Sequence, residues 1–314
     1  EVDFSEVVDV LYGCAFGVGE AGYNVARNAA LLAGLAFAGR PARAHEYPAP
    51  REATWIVREA TWIARDFRFH SGEVLPELRL HHTTLGDPRN PAVLLLHGTG
   101  GTGAQFLLPQ FADDLFGPGQ PLDAARYYVI MPDNLGHGAS SRPSDGLRAA
   151  FPEYGYTEMV EAQRRLLVDG LKVDRLRLIL GTSMGCMHIF VWAETHPDFA
   201  DALMPMACQP TAIVGRNRLW RTMLKDAIRS DPAWNGGNYA EQPVGGLRTA
   251  VDLLLLAGSA PMAMQADLAT PQAVDAYATT QMARRRWTPT IFGTRSTPRG
   301  TTIPRPGWSG SPRR

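Results

Sequence analysis

The feature that most constrains the fold is a short turn between an apolar run and a helical pattern. Residues 176–180 are predominantly apolar and indicate a buried strand. From Met184 onward, apolar residues recur at spacings of three and four, which indicates a helix. Between the two stands Gly181-Thr182-Ser183-Met184-Gly185, a G-x-S-x-G pattern. In this context the pattern predicts a tight turn with a serine at its apex.

The spacing of this pentapeptide has a chemical reason. A serine at the apex projects its hydroxyl above the sheet edge, and the glycines on either side let the backbone turn without a clash of Cβ atoms. The free N–H groups at the helix start can stabilise an oxyanion. An ordinary strand-to-helix turn is the alternative. The strand before and the helix after favour a nucleophile elbow, with Ser183 as the nucleophile.

Other segments predict strands that alternate with helices. Alternating apolar and polar residues around Ser71-Gly72 predict a hairpin from about Trp62, with three half-exposed histidines, His70, His81 and His82. Further strands are indicated at residues 91–97, 127–132 and 202–208, and an amphipathic helix at residues 157–170. This order predicts an α/β fold, a mostly parallel sheet with helices on both faces.

The strand at residues 91–97 runs into a glycine-rich loop, His97-Gly98-Thr99-Gly100-Gly101. In serine hydrolases, N–H groups of such a loop help to form the oxyanion hole. A phosphate-binding loop is the competing interpretation, but the Gly-Lys-Ser/Thr that it requires is absent here. We expect His97 to be structural rather than catalytic.

Residues 211–282 predict a helical lid inserted after the strand at residues 202–208. Its first helix has one apolar face, formed by Trp220, Met223, Leu224, Ala227 and Ile228. A second apolar helix is indicated around residues 253–257, and Thr270-Pro271 opens a third. A helical lid over a catalytic loop excludes water and shapes the substrate pockets.

Three motifs together resemble the α/β-hydrolases: the glycine-rich loop, the elbow, and Asp133-Asn-Leu-Gly-His-Gly-Ala-Ser140. Their order and spacing, with the lid segment at residues 216–239, more specifically resemble homoserine O-acetyltransferases. The resemblance covers about residues 62–282.

This resemblance implies acyl transfer or ester hydrolysis through an acyl-enzyme on Ser183. The backbone N–H groups of Thr99 and Met184 would form the oxyanion hole, shaped by the loop and elbow glycines Gly98, Gly100, Gly181 and Gly185. No metal or organic cofactor is implied. The partners would be a small acyl ester or acyl donor and an alcohol or water acceptor; the oligomeric state is left open.

The acceptor is left open by the lid. Members of the resembled family place an arginine in the second lid helix to hold the amino-acid carboxylate, and the corresponding residue here is Val251. Arg248, one turn away, would replace it only if the register slips. Ester hydrolysis or transfer to another alcohol is therefore expected on the same footing as transfer to homoserine.

The acid and base of the family triad, which follow the serine in the order Asp then His, are not identifiable. Every histidine lies at or before His196, and His188 is not expected to act as the base. Three aspartates after Ser183 fall in the lid: Asp252, Asp267 and Asp275. Without a base, a serine hydroxyl is a poor nucleophile. A non-catalytic, binding or vestigial protein is therefore the alternative function.

The last residues, 283–314, hold eight Arg, five Pro and no Asp or Glu. We interpret this basic tail as a changed reading frame or truncation near Ala283, with a disordered tail as the alternative. The last two strands of the resembled fold then appear absent, which leaves the strand at residues 202–208 at a sheet edge. The rest of the chain carries 23 basic against 31 acidic residues, which argues against nucleic-acid binding.

The N-terminal part resembles a secretory leader. Arg27 is followed by a short apolar run, and residues 41–44 offer a cleavage site before His45. The run is too short for a membrane span; a buried Ala/Leu helix is the alternative. The expected divisions are an upstream extension (1–24), a signal peptide (25–44), a hydrolase core (45–210), a lid (211–282) and the tail (283–314). The location predicted is periplasmic or secreted.

The three cysteines, Cys14, Cys186 and Cys208, have neither metal-site nor redox-motif spacing. Because Cys186 and Cys208 adjoin predicted core elements, we expect buried free thiols. A disulfide between these two residues is the alternative.

Overall fold

The computed structural model describes residues 56–259 and 261–284. Six strands form one sheet: β1 (Arg58–Arg68), β2 (Val74–Leu85), β3 (Ala92–Leu96), β4 (Tyr128–Pro132), β5 (Leu178–Thr182) and β6 (Leu203–Met206). Their order across the sheet is β1-β2-β4-β3-β5-β6. β2 pairs antiparallel with β1 and β4, and the remaining neighbours are parallel. The predicted mostly parallel sheet is confirmed.

The two central parallel strands are apolar because both of their faces are covered. Every residue of β3 and of β4 is buried. One cluster joins Leu94 and Ile130 to Trp192 on one side, and another joins Val93 and Val129 to Phe106. Strands covered on both faces need uninterrupted apolar side chains rather than alternation.

Seven α-helices are described: α1 (Pro109–Leu115), α2 (Tyr156–Arg165), α3 (Met184–Thr195), α4 (Gly215–Ser230), α5 (Val244–Gly258), α6 (Pro261–Asp267) and α7 (Pro271–Arg284). The predicted helix at residues 157–170 is confirmed with one change, since its last turn, Leu166–Gly170, is wound as a π-helix. Its predicted inward residues are buried: Met159, Ala162, Leu166 and Leu167.

Helices α4 to α7, here called the helical segment, follow β6 directly. Leu224 and Ile228 of α4 pack against Leu247 and Ala250 of α5. The prediction that Met223 belongs to this buried face is wrong, because its side chain is 49% exposed. Successive helix residues lie about 100° apart, so Met223 points away when Leu224 faces α5. Helix α6 was not predicted.

The hairpin is confirmed, with β1 beginning at Arg58 rather than Trp62. His70 is exposed and His81 is partly buried, but His82 is buried, which contradicts the expectation for it. The reason is that His82 pairs with Pro132 of β4 as well as with Ala60 of β1. This end of β2 is therefore an interior strand.

Within the described sheet, β6 is an edge strand, and its Leu203 and Met206 are partly exposed. No described helix is long and apolar enough to cross a membrane. The predicted upstream extension, the signal peptide, Cys14 and residues 285–314 of the basic tail lie outside the described residues.

Candidate active site

Ser183 lies between the end of β5 and the start of α3, as the pentapeptide predicts. Its backbone has φ 52° and ψ −109°, an unusual conformation for a residue with a side chain. Two hydrogen bonds hold it there: its N–H donates to the Met206 carbonyl at 2.9 Å, and its carbonyl accepts from the Met187 N–H at 3.2 Å. A strained residue held by its neighbours is typical of functional sites.

The flanking glycines are required by close backbone contacts. A Cβ at Gly181 would overlap the backbone of Gly185 and Cys186. A Cβ at Gly185 would overlap the carbonyl of Leu96 in β3. The elbow is therefore packed so tightly against itself and against β3 that only glycine fits at these two positions.

The glycine-rich loop after β3 meets the elbow. A Cβ built on Gly98 would lie 3.3 Å from the Ser183 Cβ and 3.9 Å from its Oγ. The loop closes through a bond from the Gly101 N–H to the Gly98 carbonyl at 3.0 Å, with Gly100 at φ 75°. Thr99 is exposed in this loop, and Met184 is the first residue of α3, so its N–H has no partner within the helix. The loop and the helix N-terminus predicted to bind an oxyanion thus lie beside Ser183.

His97 is buried and holds the loop from below. Its Nδ1 lies 2.8 Å from the Gly98 carbonyl, which can only accept, so Nδ1 carries the proton. Its Nε2 accepts from the Asn134 backbone N–H at 3.0 Å. Burial lowers the pKa of His97 to about 4 despite the bond to Gly98. In the neutral ring, both nitrogens form hydrogen bonds to the backbone, in agreement with the structural role expected.

A buried polar network extends from His97 across the two helices behind the elbow. Gln163 donates to Asn134 Oδ1 at 2.6 Å and lies 3.1 Å from His188 Nδ1. The Trp192 indole donates to Gln163 Oε1 at 2.8 Å. These side chains connect α2, α3 and the loop after β4 at the base of the site.

His188 is part of this network rather than a partner of the serine. It is fully buried, and burial first, with the charges of His97 and His137 next, lowers its pKa to about 3. None of the described residues forms a hydrogen bond with Ser183 Oγ. The three lid aspartates, Asp252, Asp267 and Asp275, are exposed on α5 to α7 and form no ion pair with a described residue. The structure therefore does not bring these candidates to the serine.

The expectation of free thiols at Cys186 and Cys208 is wrong, because the two form a disulfide. Cys186 lies in the first turn of α3, and Cys208 lies two residues after β6. The carbonyl of Met206, at the end of β6, accepts a hydrogen bond from the N–H of Ser183. These contacts bring the two cysteines together across 22 residues of sequence.

Sequence reasoning missed several polar residues of the site. Gln105 donates to Thr182 Oγ1 at 3.1 Å and accepts from the Gly98 N–H at 3.4 Å, which joins the loop to the elbow. Asn134 and Gln163 were also missed. A signal existed for Gln163, a polar residue beside the inward positions Met159 and Leu166 of an amphipathic helix. Among the described residues, no group of His, Cys, Asp or Glu is arranged to hold a metal ion.

The chain is similar to known proteins in sequence and in fold. A family model described as alpha/beta hydrolase fold matches residues 91–303. The homoserine O-acetyltransferase of Halorubrum lacusprofundi is 31% identical over 209 residues, which cover 55% of this chain and 48% of that protein. The homoserine O-succinyltransferase of Aromatoleum aromaticum is 34% identical over 203 residues, 57% of this chain and 53% of that protein.

The chain thus spans about half the length of the curated relatives it matches. Among solved structures, the acetyl esterase MekB superposes with a TM-score of 0.66 at 24% identity, over 76% of this chain and 71% of that one. This likeness concerns the fold.

Proposed function

The chain belongs to the α/β-hydrolase fold family, and we propose that it is a serine acyltransferase or ester hydrolase that works through an acyl-enzyme on Ser183. One observation carries the proposal. The serine is held in a strained turn beside both the glycine-rich loop and the free N-terminus of α3. A hydroxyl beside preorganised N–H donors suits attack on an acyl carbonyl.

In the proposed reaction, Ser183 Oγ forms a bond to the acyl carbon and loses its proton to a general base. The N–H groups of Thr99 and Met184 stabilise the oxyanion, and its collapse expels the leaving group and leaves an ester on Ser183. An alcohol or water then attacks this ester, which releases the acyl product and restores the hydroxyl. This first step requires a general base, and none of the described residues supplies one to Ser183.

The acceptor is proposed more broadly than for the relatives. Val251 is a buried apolar residue of α5, and Arg248 is exposed. Val251 carries no charge, and the guanidinium of Arg248 lies on the exposed surface of α5, so neither residue can bind a substrate carboxylate inside the helical segment. We therefore keep ester hydrolysis and transfer to an alcohol as parallel outcomes, with the helical segment as the lid over the site.

We also propose that the protein is exported and loses its leader before His45. The leader-like pattern at residues 25–44 motivates this location, and the Cys186–Cys208 disulfide supports it, because disulfides persist in oxidising compartments. N-terminal sequencing of the protein from its native host should read His-Glu-Tyr-Pro. Recovery of an uncleaved cytoplasmic chain would refute the proposal.

The experiment that tests the enzymatic proposal is labelling with a fluorophosphonate probe, followed by peptide mass spectrometry. In the protein as its host makes it, we expect an adduct on the Ser183 peptide and none in Ser183→Ala. In the 314-residue chain alone, which has no histidine after His196, we expect slow labelling. A host protein that folds but leaves Ser183 unlabelled would favour the non-catalytic alternative.

A further inference from the structure

The Cys186–Cys208 disulfide encloses the nucleophile. Cys186 comes three residues after Ser183, and Cys208 comes two residues after Met206, whose carbonyl accepts the Ser183 N–H at 2.9 Å. The disulfide and this hydrogen bond therefore close a small ring of backbone around the serine. We call it the elbow ring, made of residues 183–186 and 206–208.

Two residues of the elbow ring have a strained backbone. Ser183 has φ 52° and Ala207 has φ 58°, in the left-handed region that residues with a Cβ seldom adopt. Such a backbone persists only where the surrounding structure holds it. Because Ala207 joins Met206 to Cys208, the disulfide holds the segment that in turn holds Ser183.

The end of β6 is exposed around the disulfide. The strand has four residues and pairs, within the described sheet, only with β5. Met206 is 37% exposed, and residues 209–212, which follow Cys208, are exposed as well. Segments with few buried contacts open most readily. The disulfide is the covalent link that ties this strand end to the buried start of α3.

The two cysteines differ in access from solvent. Cys186 is buried, whereas Cys208 is partly exposed. A thiolate of a dithiol reductant can therefore attack the Cys208 sulfur, form a mixed disulfide with it and expel the Cys186 thiolate. The second thiolate of the reductant then attacks its own bound sulfur and expels the Cys208 thiolate. Two electrons and two protons pass from the dithiol to the cysteines, and a disulfide oxidant reverses the exchange.

We propose that the Cys186–Cys208 disulfide is a redox switch that sets the reactivity of Ser183. In the reduced chain the elbow ring is open, so the Ser183 hydroxyl and the Met184 N–H lose their fixed arrangement. The inference rests on the proposed function, because it assigns regulation to that site. A chain exported as proposed above leaves a reducing compartment for an oxidising one, and it becomes reactive only there.

The rate at which the fluorophosphonate probe labels Ser183 tests the switch. The protein as its host makes it is compared in three states: oxidised, reduced with dithiothreitol, and reoxidised with oxidised glutathione. We expect reduction to slow labelling about 10-fold or more, because a small misplacement of a reacting group costs this much, and reoxidation to restore the rate. Equal rates in the oxidised and reduced states would overturn the inference.

Two variants identify the thiols responsible. Cys186→Ala/Cys208→Ala should label at the slow rate, and dithiothreitol should not change that rate. Cys14→Ala is the matched control and should keep the full response, because Cys14 is not part of the disulfide. A double variant that labels as fast as the oxidised protein would contradict the switch.

Hydrogen exchange read by mass spectrometry separates opening of the elbow ring from unfolding of the whole protein. In the reduced protein we expect peptides that cover residues 181–187 and 203–208 to exchange while β3 and β4 stay protected. Loss of protection at one common rate in all these peptides would mean that the disulfide only stabilises the fold, which would also overturn the inference.

Failure of the switch can be told from failure of the proposed function. Absence of labelling in all three redox states would refute the enzymatic proposal and, with it, a switch of Ser183 reactivity. Labelling that proceeds equally in the oxidised and reduced states would refute the switch alone.

Discussion

The Nε2 atom of His97 lies 3.0 Å from the backbone nitrogen of Asn134, which joins the end of β3 to the loop after β4. Because Nε2 accepts this bond, Nδ1 keeps the proton and donates it to the Gly98 carbonyl. The peptide that presents the Thr99 N–H is therefore positioned from inside the core. The glycine-rich loop owes its shape to a buried histidine as well as to its glycines.

His97→Leu tests this positioning role. The substitution leaves the buried N–H of Asn134 without its partner, which should lower the free energy of unfolding by about 2 kcal/mol. It should also slow labelling of Ser183, because the loop loses its anchor. The control is His82→Leu. His82 is also buried, but its ring lies 3.4 Å from the Leu80 carbonyl, a long distance for a hydrogen bond. Equal effects of the two variants in urea denaturation and labelling would contradict the positioning role.

The strained backbone of Ser183 predicts a difference between two inactive variants. Ser183→Ala keeps a Cβ at φ 52°, whereas Ser183→Gly removes it. We expect the glycine variant to be more stable than the alanine variant by about 1 kcal/mol. Urea denaturation of both, with circular dichroism as the signal, measures this difference. A more stable alanine variant would show that the turn holds no strain.

The contact between Gly185 and Leu96 predicts that the elbow does not accept a methyl group. Gly185→Ala drives its Cβ into a backbone carbonyl, so we expect a loss of more than about 3 kcal/mol or failure to fold. Gly245→Ala is the matched control in α5, since its new Cβ meets only a side-chain oxygen of Asp231, at 3.2 Å. Thermal unfolding of both variants measures the difference. A loss of stability for Gly185→Ala as small as that for Gly245→Ala would disprove the tight packing.

Buried neutral histidines predict that the protein loses stability in acid. Burial lowers the pKa to about 4 for His97 and to about 3 for His137 and His188, from 6.5 in the unfolded chain. Below about pH 6.5 the unfolded chain binds protons that the folded chain does not. The stabilisation is therefore complete above this pH and falls as the pH decreases, by up to ~1.4 kcal/mol per unit for each histidine.

Urea denaturation between pH 7.5 and 4.5 measures this dependence. His188→Gln removes one titrating ring and leaves Gln163 its bond to Asn134, so it should reduce the slope by about one third of the contribution of these three histidines. An unchanged slope in this variant would mean that His188 titrates normally in the folded protein.

The Cys186–Cys208 disulfide predicts a reductant-sensitive protein. It joins the first turn of α3 to the end of β6, so its loss should release both elements that position Ser183. Reduction should lower the free energy of unfolding by about 3 kcal/mol, as expected for a loop of this length. The double variant Cys186→Ala/Cys208→Ala should have the same free energy of unfolding as the reduced protein, and reductant should not change it. If reductant leaves the melting temperature of the unmodified chain unchanged, the bridge does not contribute to stability.

The sequence alone was enough to predict the parallel strands, the elbow and the helices around it. These features depend on short-range rules. An uninterrupted apolar run can only be a covered strand or helix, and Gly181, two residues before Ser183, is required by atoms within the same turn. The motif spacing that leads to the family is local in the same sense.

The tertiary structure decided what depends on contacts between distant segments. Cys186 and Cys208 pair because β6 lies beside β5. His82 is buried because β4 pairs with this end of β2 in the sheet. Arg221 is on the inward face because Leu224 and Ile228 set the rotation of α4 against α5. Hydrophobic periodicity shows that a helix has a buried face, but only the packing partner determines which polar residues share that face.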